Sequence, residues 1–191
     1  MSESGVLDRI IGSVNACPYG TTAGTRHTRH APLSVYTPLY TDEERVLRDT
    51  SPWTLVQGIL APVQFLVFLV SLGLVLRYLA TGEGLATAEA SVVVKTLTLY
   101  AIMITGCIWE KVVFGKYLFA RAFFWEDVFS MLVLALHTAY LGALAFGWGD
   151  THAQMWLALA AYAAYVINAA QFILKLRAAR LDEPARKAAR A

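Results

Sequence analysis

Three carboxylates stand in or beside one short aromatic stretch: Glu110, Glu126 and Asp127, in WEKVVFGKYLFARAFFWEDVFSMLVLALH, residues 109–137. Around them lie Trp109, Phe114, Tyr117, Phe119, Phe123, Phe124 and Trp125, and His137 follows downstream. A carboxyl group that is buried, or that has a like-charged neighbour, can keep a proton near neutral pH, which is what a general acid needs. A second carboxylate close by can take a proton from water. The chemistry such a cluster could do is proton delivery to one atom and water activation beside it. Structural roles compete with this reading. Acidic residues are favoured at a helix N-terminus, where Glu126 and Asp127 fall. Glu110 beside Lys111 could be an interfacial ion pair, and Trp109, Phe124 and Trp125 could form an aromatic belt.

The elements that must position these groups are long and apolar. Of 191 residues, 57% are hydrophobic, against roughly 45–50% in soluble domains. The excess falls in four blocks, 53–76, 91–108, 128–146 and 155–173, each near the roughly 20 apolar residues that cross a bilayer core. The expected fold is all-α: a polytopic integral membrane protein whose four-transmembrane-helix bundle occupies 41–181. A flexible polar N-terminal tail, 1–40, precedes it and a basic C-terminal tail, 182–191, follows. The first tail is broken by Gly and Pro; within it lie a weak amphipathic helix over 6–14 and the cluster Arg26, His27, Arg29 and His30, suited to anionic headgroups. Thr41 and Glu44 form a capping-box pattern, Ser51-Pro52 restarts the chain, and Thr151 with Gln154 makes a second capping-box pattern. The expected connections are 77–90, 109–127 and 147–150.

Charge sets the orientation. Arg45, Arg48, Lys111, Lys116, Arg121, Lys175, Arg177, Arg180, Arg186, Lys187 and Arg190 share one side if the spans alternate, against Arg77 on the other. The positive-inside rule then puts both termini and the 109–127 turn in the cytoplasm. Net charge is only +2, which leaves no nucleic-acid footprint. Cys17 and Cys107 lie in unlike contexts, so no disulfide framework is expected. No metal-ligand spacing, Walker loop or GxGxxG occurs.

Lipid penalises unpaired polar groups, so those within the spans should face the bundle interior. Gln57, Gln64 and Ser71 share one stripe, and Asn168, Gln171 and Lys175 another. Both read first as helix–helix glue. Lys95, near the outer end, reads as a snorkelling lysine. Glu126 and His137 are three turns apart, about 20° from alignment and about 16 Å along the axis, with Ser130 on the same face. Asp127 is offset from Glu126 by about 100°, which points it away from a pocket that Glu126 faces.

Several strings resemble one family: PWTLVQGILAPVQFLVFLVSL (52–72), RYLATGEG (77–84), IWEKVVFGKYLFA (108–120), FFWEDVFSMLVLALHTAYL (123–141) and YVINAAQFILKLRAARL (165–181). It is the 3-vinyl bacteriochlorophyllide hydratase family, the chlorophyllide 3¹-hydratases of bacteriochlorophyll biosynthesis. The resemblance implies addition of water to the 3-vinyl group of a (bacterio)chlorophyllide, giving a 3-(1-hydroxyethyl) group, with no separate cofactor. It also implies the inner membrane of a phototrophic bacterium, and other pigment-biosynthesis enzymes as partners beside the lipid bilayer. The roles expected of the residues come from their chemistry. Glu126 is the general acid, and Glu110 or Asp127 activates water. His137 is an axial ligand to the substrate's Mg or a pocket hydrogen-bonder. Trp109, Phe124 and Trp125 wall the pigment, and Lys111, Lys116 or Arg121 holds its propionate. The alternative reading is a non-catalytic tetrapyrrole-binding or assembly subunit of a photosynthetic complex, which would need no carboxylates.

Overall fold

A computed structural model describes residues 39–190, with side chains to residue 180. The expected tail except for Leu39 and Tyr40, its helix over 6–14, its basic cluster and Cys17 lie outside the described residues. Every element described is a helix: α1 Asp42–Thr50, α2 Pro52–Thr81, α3 Leu85–Phe114, α4 Phe124–Phe146 and α5 Thr151–Arg190. α5 runs on without a break through the expected boundary at 181, so the basic segment continues the last helix. The four long helices are long and apolar enough to cross a membrane, and the chain is a multi-pass membrane protein.

The helix ends follow from local chemistry. Thr41 and Glu44 close a reciprocal capping box on α1, with Thr41 N–H donating to Glu44 at 2.7 Å. The Ser51 hydroxyl accepts from Trp53 N–H at 3.3 Å, and Pro52 occupies the first turn of α2. The expected connection 77–90 shrinks to Gly82–Gly84, because Gly82 and Gly84 adopt φ 74° and 83° and reverse the chain in three residues. The second expected capping box does not form. Asp150 caps α5 instead, its Oδ1 accepting from Ala153 N–H at 2.7 Å, while Gln154 Nε2 donates to the carbonyls of Ala143 and Trp148. The side chain that precedes the first helical residue is placed to cap, and that is Asp150.

α2 packs along α3, and α4 along α5. The two hairpins meet through α2 with α5 and α3 with α4. Burial is inverted relative to a water-soluble bundle. Leu66, Val70, Ile104 and Ile173 point outward, while Gln64, Ser71, Lys95, Thr96, Ser130 and His137 are buried. That distribution suits lipid outside and a polar seam within. Two of the expected amide bridges are present: Gln57 Nε2 donates to Thr105 Oγ1 at 2.7 Å, and Asn168 Nδ2 to Ser130 Oγ at 2.9 Å. Each ties one helix to its neighbour.

Candidate active site

The three carboxylates come together because α3 runs past the expected span end and α4 starts before it. Glu110 thereby lies in the penultimate turn of α3, and Glu126 and Asp127 in the first turn of α4, all buried. The Glu110 and Asp127 carboxyls are within hydrogen-bonding reach of each other. Two carboxyl oxygens in contact attract only when one of them carries a proton. Asp127 Oδ2 also accepts from the backbone N–H of Phe119 at 2.7 Å. Phe119 is the one non-glycine at positive φ among the described residues, at 59°. A non-glycine there costs on the order of 1–3 kcal/mol, and the Asp127 bond helps to hold it. The N–H of Ala120 faces Glu110, and Glu110 Oε2 has no protein partner.

Glu126 does something else. Lys175, from α5, approaches its Oε2 to 2.6 Å, with the two side chains only 19% and 10% exposed. Lys175 Nζ also lies 5.0 Å from the centre of the Phe123 ring. The group expected from the sequence to be the acid thus stands in an ion pair with a lysine. The roughly 100° offset does separate the two neighbours, but it turns Asp127 inward toward α3 and Phe119 and Glu126 toward α5. Lys111 does not reach Glu110: its Nζ donates to the Gly115 carbonyl at 2.9 Å and caps α3. Sequence reasoning missed two contributors, Lys175 as the partner of Glu126 and Phe119 as the anchor of Asp127. The stripe Asn168, Gln171, Lys175 carried the signal for the first; nothing in the sequence marked Phe119.

The aromatic residues divide into two groups. Trp109 is part of a packed core with Tyr40, Phe114, Phe123 and Phe172, and its Nε1 donates to Thr54 Oγ1 at 2.9 Å. It braces α3 against the start of α2, whereas the sequence places it in the pigment wall. Phe119, Phe124 and Trp125 form an exposed ledge, with ring centres 5.7 Å apart for the first pair and 5.5 Å for the second. Backbone joins this ledge to the carboxyls, since Phe119 binds Asp127 and Trp125 precedes Glu126. Lys116 and Arg121 line a cavity of about 140 Å³ with Leu39, Glu44, Phe114, Ala120 and Ala122. Ala120 belongs to both this cavity and the surroundings of Glu110.

His137 lies deeper, 0% exposed. Its Nδ1 is 2.8 Å from the Val133 carbonyl, and its ring lies 5.8 Å from Tyr162. Nε2 is buried without a partner. Lys95 does not snorkel: it is 0% exposed, with Nζ 3.8 Å from the centre of the Tyr165 ring. It starts too far into α3 for its stem to reach the outer end.

The profile described as 2-vinyl bacteriochlorophyllide hydratase matches residues 40–178. A protein of that name from Cereibacter sphaeroides is 67% identical over 152 residues, covering 80% of this chain and 94% of the relative. Another of that name, from Rhodobacter capsulatus, is 66% identical over 144 residues, 75% of this chain and 84% of the relative. No solved structure matches.

Proposed function

The chain belongs to the 2-vinyl bacteriochlorophyllide hydratase family, and on that premise we propose that it adds water to the 3-vinyl group of a chlorophyllide or bacteriochlorophyllide. The vinyl group numbered 2 in the family's name is position 3 in systematic tetrapyrrole numbering. The product carries a 3-(1-hydroxyethyl) group, which makes the enzyme a hydro-lyase working in the hydration direction within bacteriochlorophyll biosynthesis.

The observation that carries this reading is the buried contact between Glu110 and Asp127 beside an aromatic ledge. Hydration of a vinyl group needs a proton on the terminal carbon. The cation then lies on the carbon attached to the macrocycle, which delocalises it. Water adds there and gives up a proton. A carboxyl pair that shares one proton supplies both functions: one member donates, and the other, ionised, accepts from water. Transfer across their own contact resets the pair. Both carboxyls are buried, and Ala120, whose N–H faces Glu110, lines the neighbouring cavity. The flat pigment rests on Phe119, Phe124 and Trp125, reached from the bilayer. Lys116 and Arg121 take its propionate carboxylate; Lys111, engaged as a helix cap, is the weaker of the three candidates. The direct test is incubation of membranes holding the protein with 3-vinyl pigment. A hydroxyethyl product, with its shifted red absorption band, is expected; pigment bound but unchanged would favour a binding subunit.

Two further expectations belong here. The carboxylate end of the bundle is assigned to the cytoplasm by Lys111, Lys116, Arg121 and Lys175, in the cytoplasmic or intracytoplasmic membrane of a phototrophic bacterium. Reporter fusions at Gly149 and at the C-terminus are therefore expected on opposite sides; reporters on the same side would remove the assignment. For His137, complete burial and the bond to the Val133 carbonyl support a packing role over that of an axial ligand. The His137→Phe variant is accordingly expected to bind Mg-chlorophyllide and Mg-free pheophorbide with equal change. Selective loss of the Mg pigment would restore His137 as its axial ligand.

A further inference from the structure

At the carboxylate end, Glu110, Glu126 and Asp127 are all buried. The cation that reaches into them is Lys175. Its position is built from several directions. The stem leaves α5 one turn after Phe172, whose ring stacks on Phe123 at 5.8 Å. The ammonium then lies between the Phe123 face at 5.0 Å and Glu126 at 2.6 Å. A lysine placed so has little freedom to serve another partner. On the acid–base reading, the site among the described residues holds three carboxyls, one ammonium, and one proton shared by Glu110 and Asp127.

We propose that Lys175 is a positioning residue for the hydration: by neutralising Glu126, it confines the exchangeable proton to Glu110 and Asp127. The inference rests on the acid–base reading given above. Glu126 and Asp127 are neighbours in one helical turn and interact electrostatically. Without the ammonium, an unpaired buried carboxylate faces the pair, and leaving a buried charge unpaired is strongly unfavourable. Glu126 then competes for the proton that the vinyl group requires. Removing Glu126 alone leaves the opposite imbalance, an unpaired ammonium that stabilises full ionisation of the pair. Either single change disables proton delivery without touching the pigment ledge. Removing both members restores the balance.

The experiment compares Lys175→Gln, Glu126→Gln and the double variant in the full-length protein in membranes. Turnover is measured per bound pigment, with pigment affinity measured separately. Each single variant is expected to lose at least about tenfold in kcat, below the 10²–10⁴-fold of a whole acid–base group, with pigment affinity unchanged within about twofold. The double variant is expected to return to within about threefold of wild type, the non-additivity that coupled neighbours show. Lys175→Arg, which keeps the charge, is expected to be more active than Lys175→Gln. Wild-type kcat in Lys175→Gln, or a double variant no better than the worse single one, overturns the proposal. If Lys175→Gln fails to insert, the double variant, which buries no unpaired charge, decides against the Glu126→Gln single. Glu110→Gln separates the two levels. An active Glu110→Gln removes the acid–base reading itself, whereas an inactive one with normal Lys175→Gln removes only the role of Lys175.

Discussion

Glu110→Gln is expected to insert, to bind pigment as the wild type does, and to lose between about 10² and 10⁴ in turnover. Glutamine keeps the size of the side chain and can donate to Asp127, so the contact between α3 and α4 survives. What it lacks is an exchangeable acidic proton. Asp127→Asn is expected to fall in the same range. Its amide oxygen can still accept from Phe119 N–H, where Asp127 Oδ2 does so at 2.7 Å, so the loop conformation is retained while the base is lost. If the acidic residues only decorated a helix terminus, each would contribute about 0.3–1 kcal/mol to stability and nothing to the reaction. The two readings therefore differ by orders of magnitude in kcat and little in folding. Turnover normalised to bound pigment decides between them. Retention of more than roughly a tenth of the wild-type rate by Glu110→Gln would exclude it as the acid and return the role to Glu126.

The second large effect is expected on pigment affinity. Phe124 and Trp125 are 44% and 67% exposed, so replacing them with Ala leaves little folding contact to lose. Each aromatic side chain offers roughly 150–250 Å². If pigment covers about half of that, at about 25 cal/mol per Å², each ring contributes about 2–3 kcal/mol to docking. The double variant is expected to raise the pigment Kd on the order of 10²-fold or more, with kcat at saturation nearly retained. Phe119→Gly isolates the third ring. Glycine adopts φ near 59° without strain and still presents its N–H to Asp127. A higher KM with an unchanged kcat is expected, measured by product formation across a pigment titration. Unchanged affinity in all three variants would make these rings an interfacial belt.

The sequence by itself determined the class of fold and much of its punctuation. Four apolar blocks leave no arrangement in lipid but helices with their polar stripes turned inward, because unpaired backbone groups have no partner in hydrocarbon. The Thr41–Glu44 box and Ser51-Pro52 start helices by contacts within four residues, so local chemistry was enough. Ser130 and His137 fell on one buried face because helical periodicity alone aligns them. The strings around 108–120 and 123–141 were enough to indicate the family, which comparison with relatives bears out.

Only the tertiary structure decided who pairs with whom. Glu110 and Asp127 come from different helices, and no spacing rule links positions across a nine-residue turn between Phe114 and Phe124. Lys175 meets Glu126 because α5 packs on α4, so a residue legible as a positive-inside charge and as the end of a polar stripe became the partner of a carboxylate. Trp109 looks like a belt or a pocket wall in sequence; the closing of α3 on α2 turned its Nε1 to Thr54. Lys95 looked able to snorkel, but its depth within packed helices trapped it over Tyr165. In each case residue type and helical phase set what a side chain can do, and the packing of helices distant in sequence set which partner it finds.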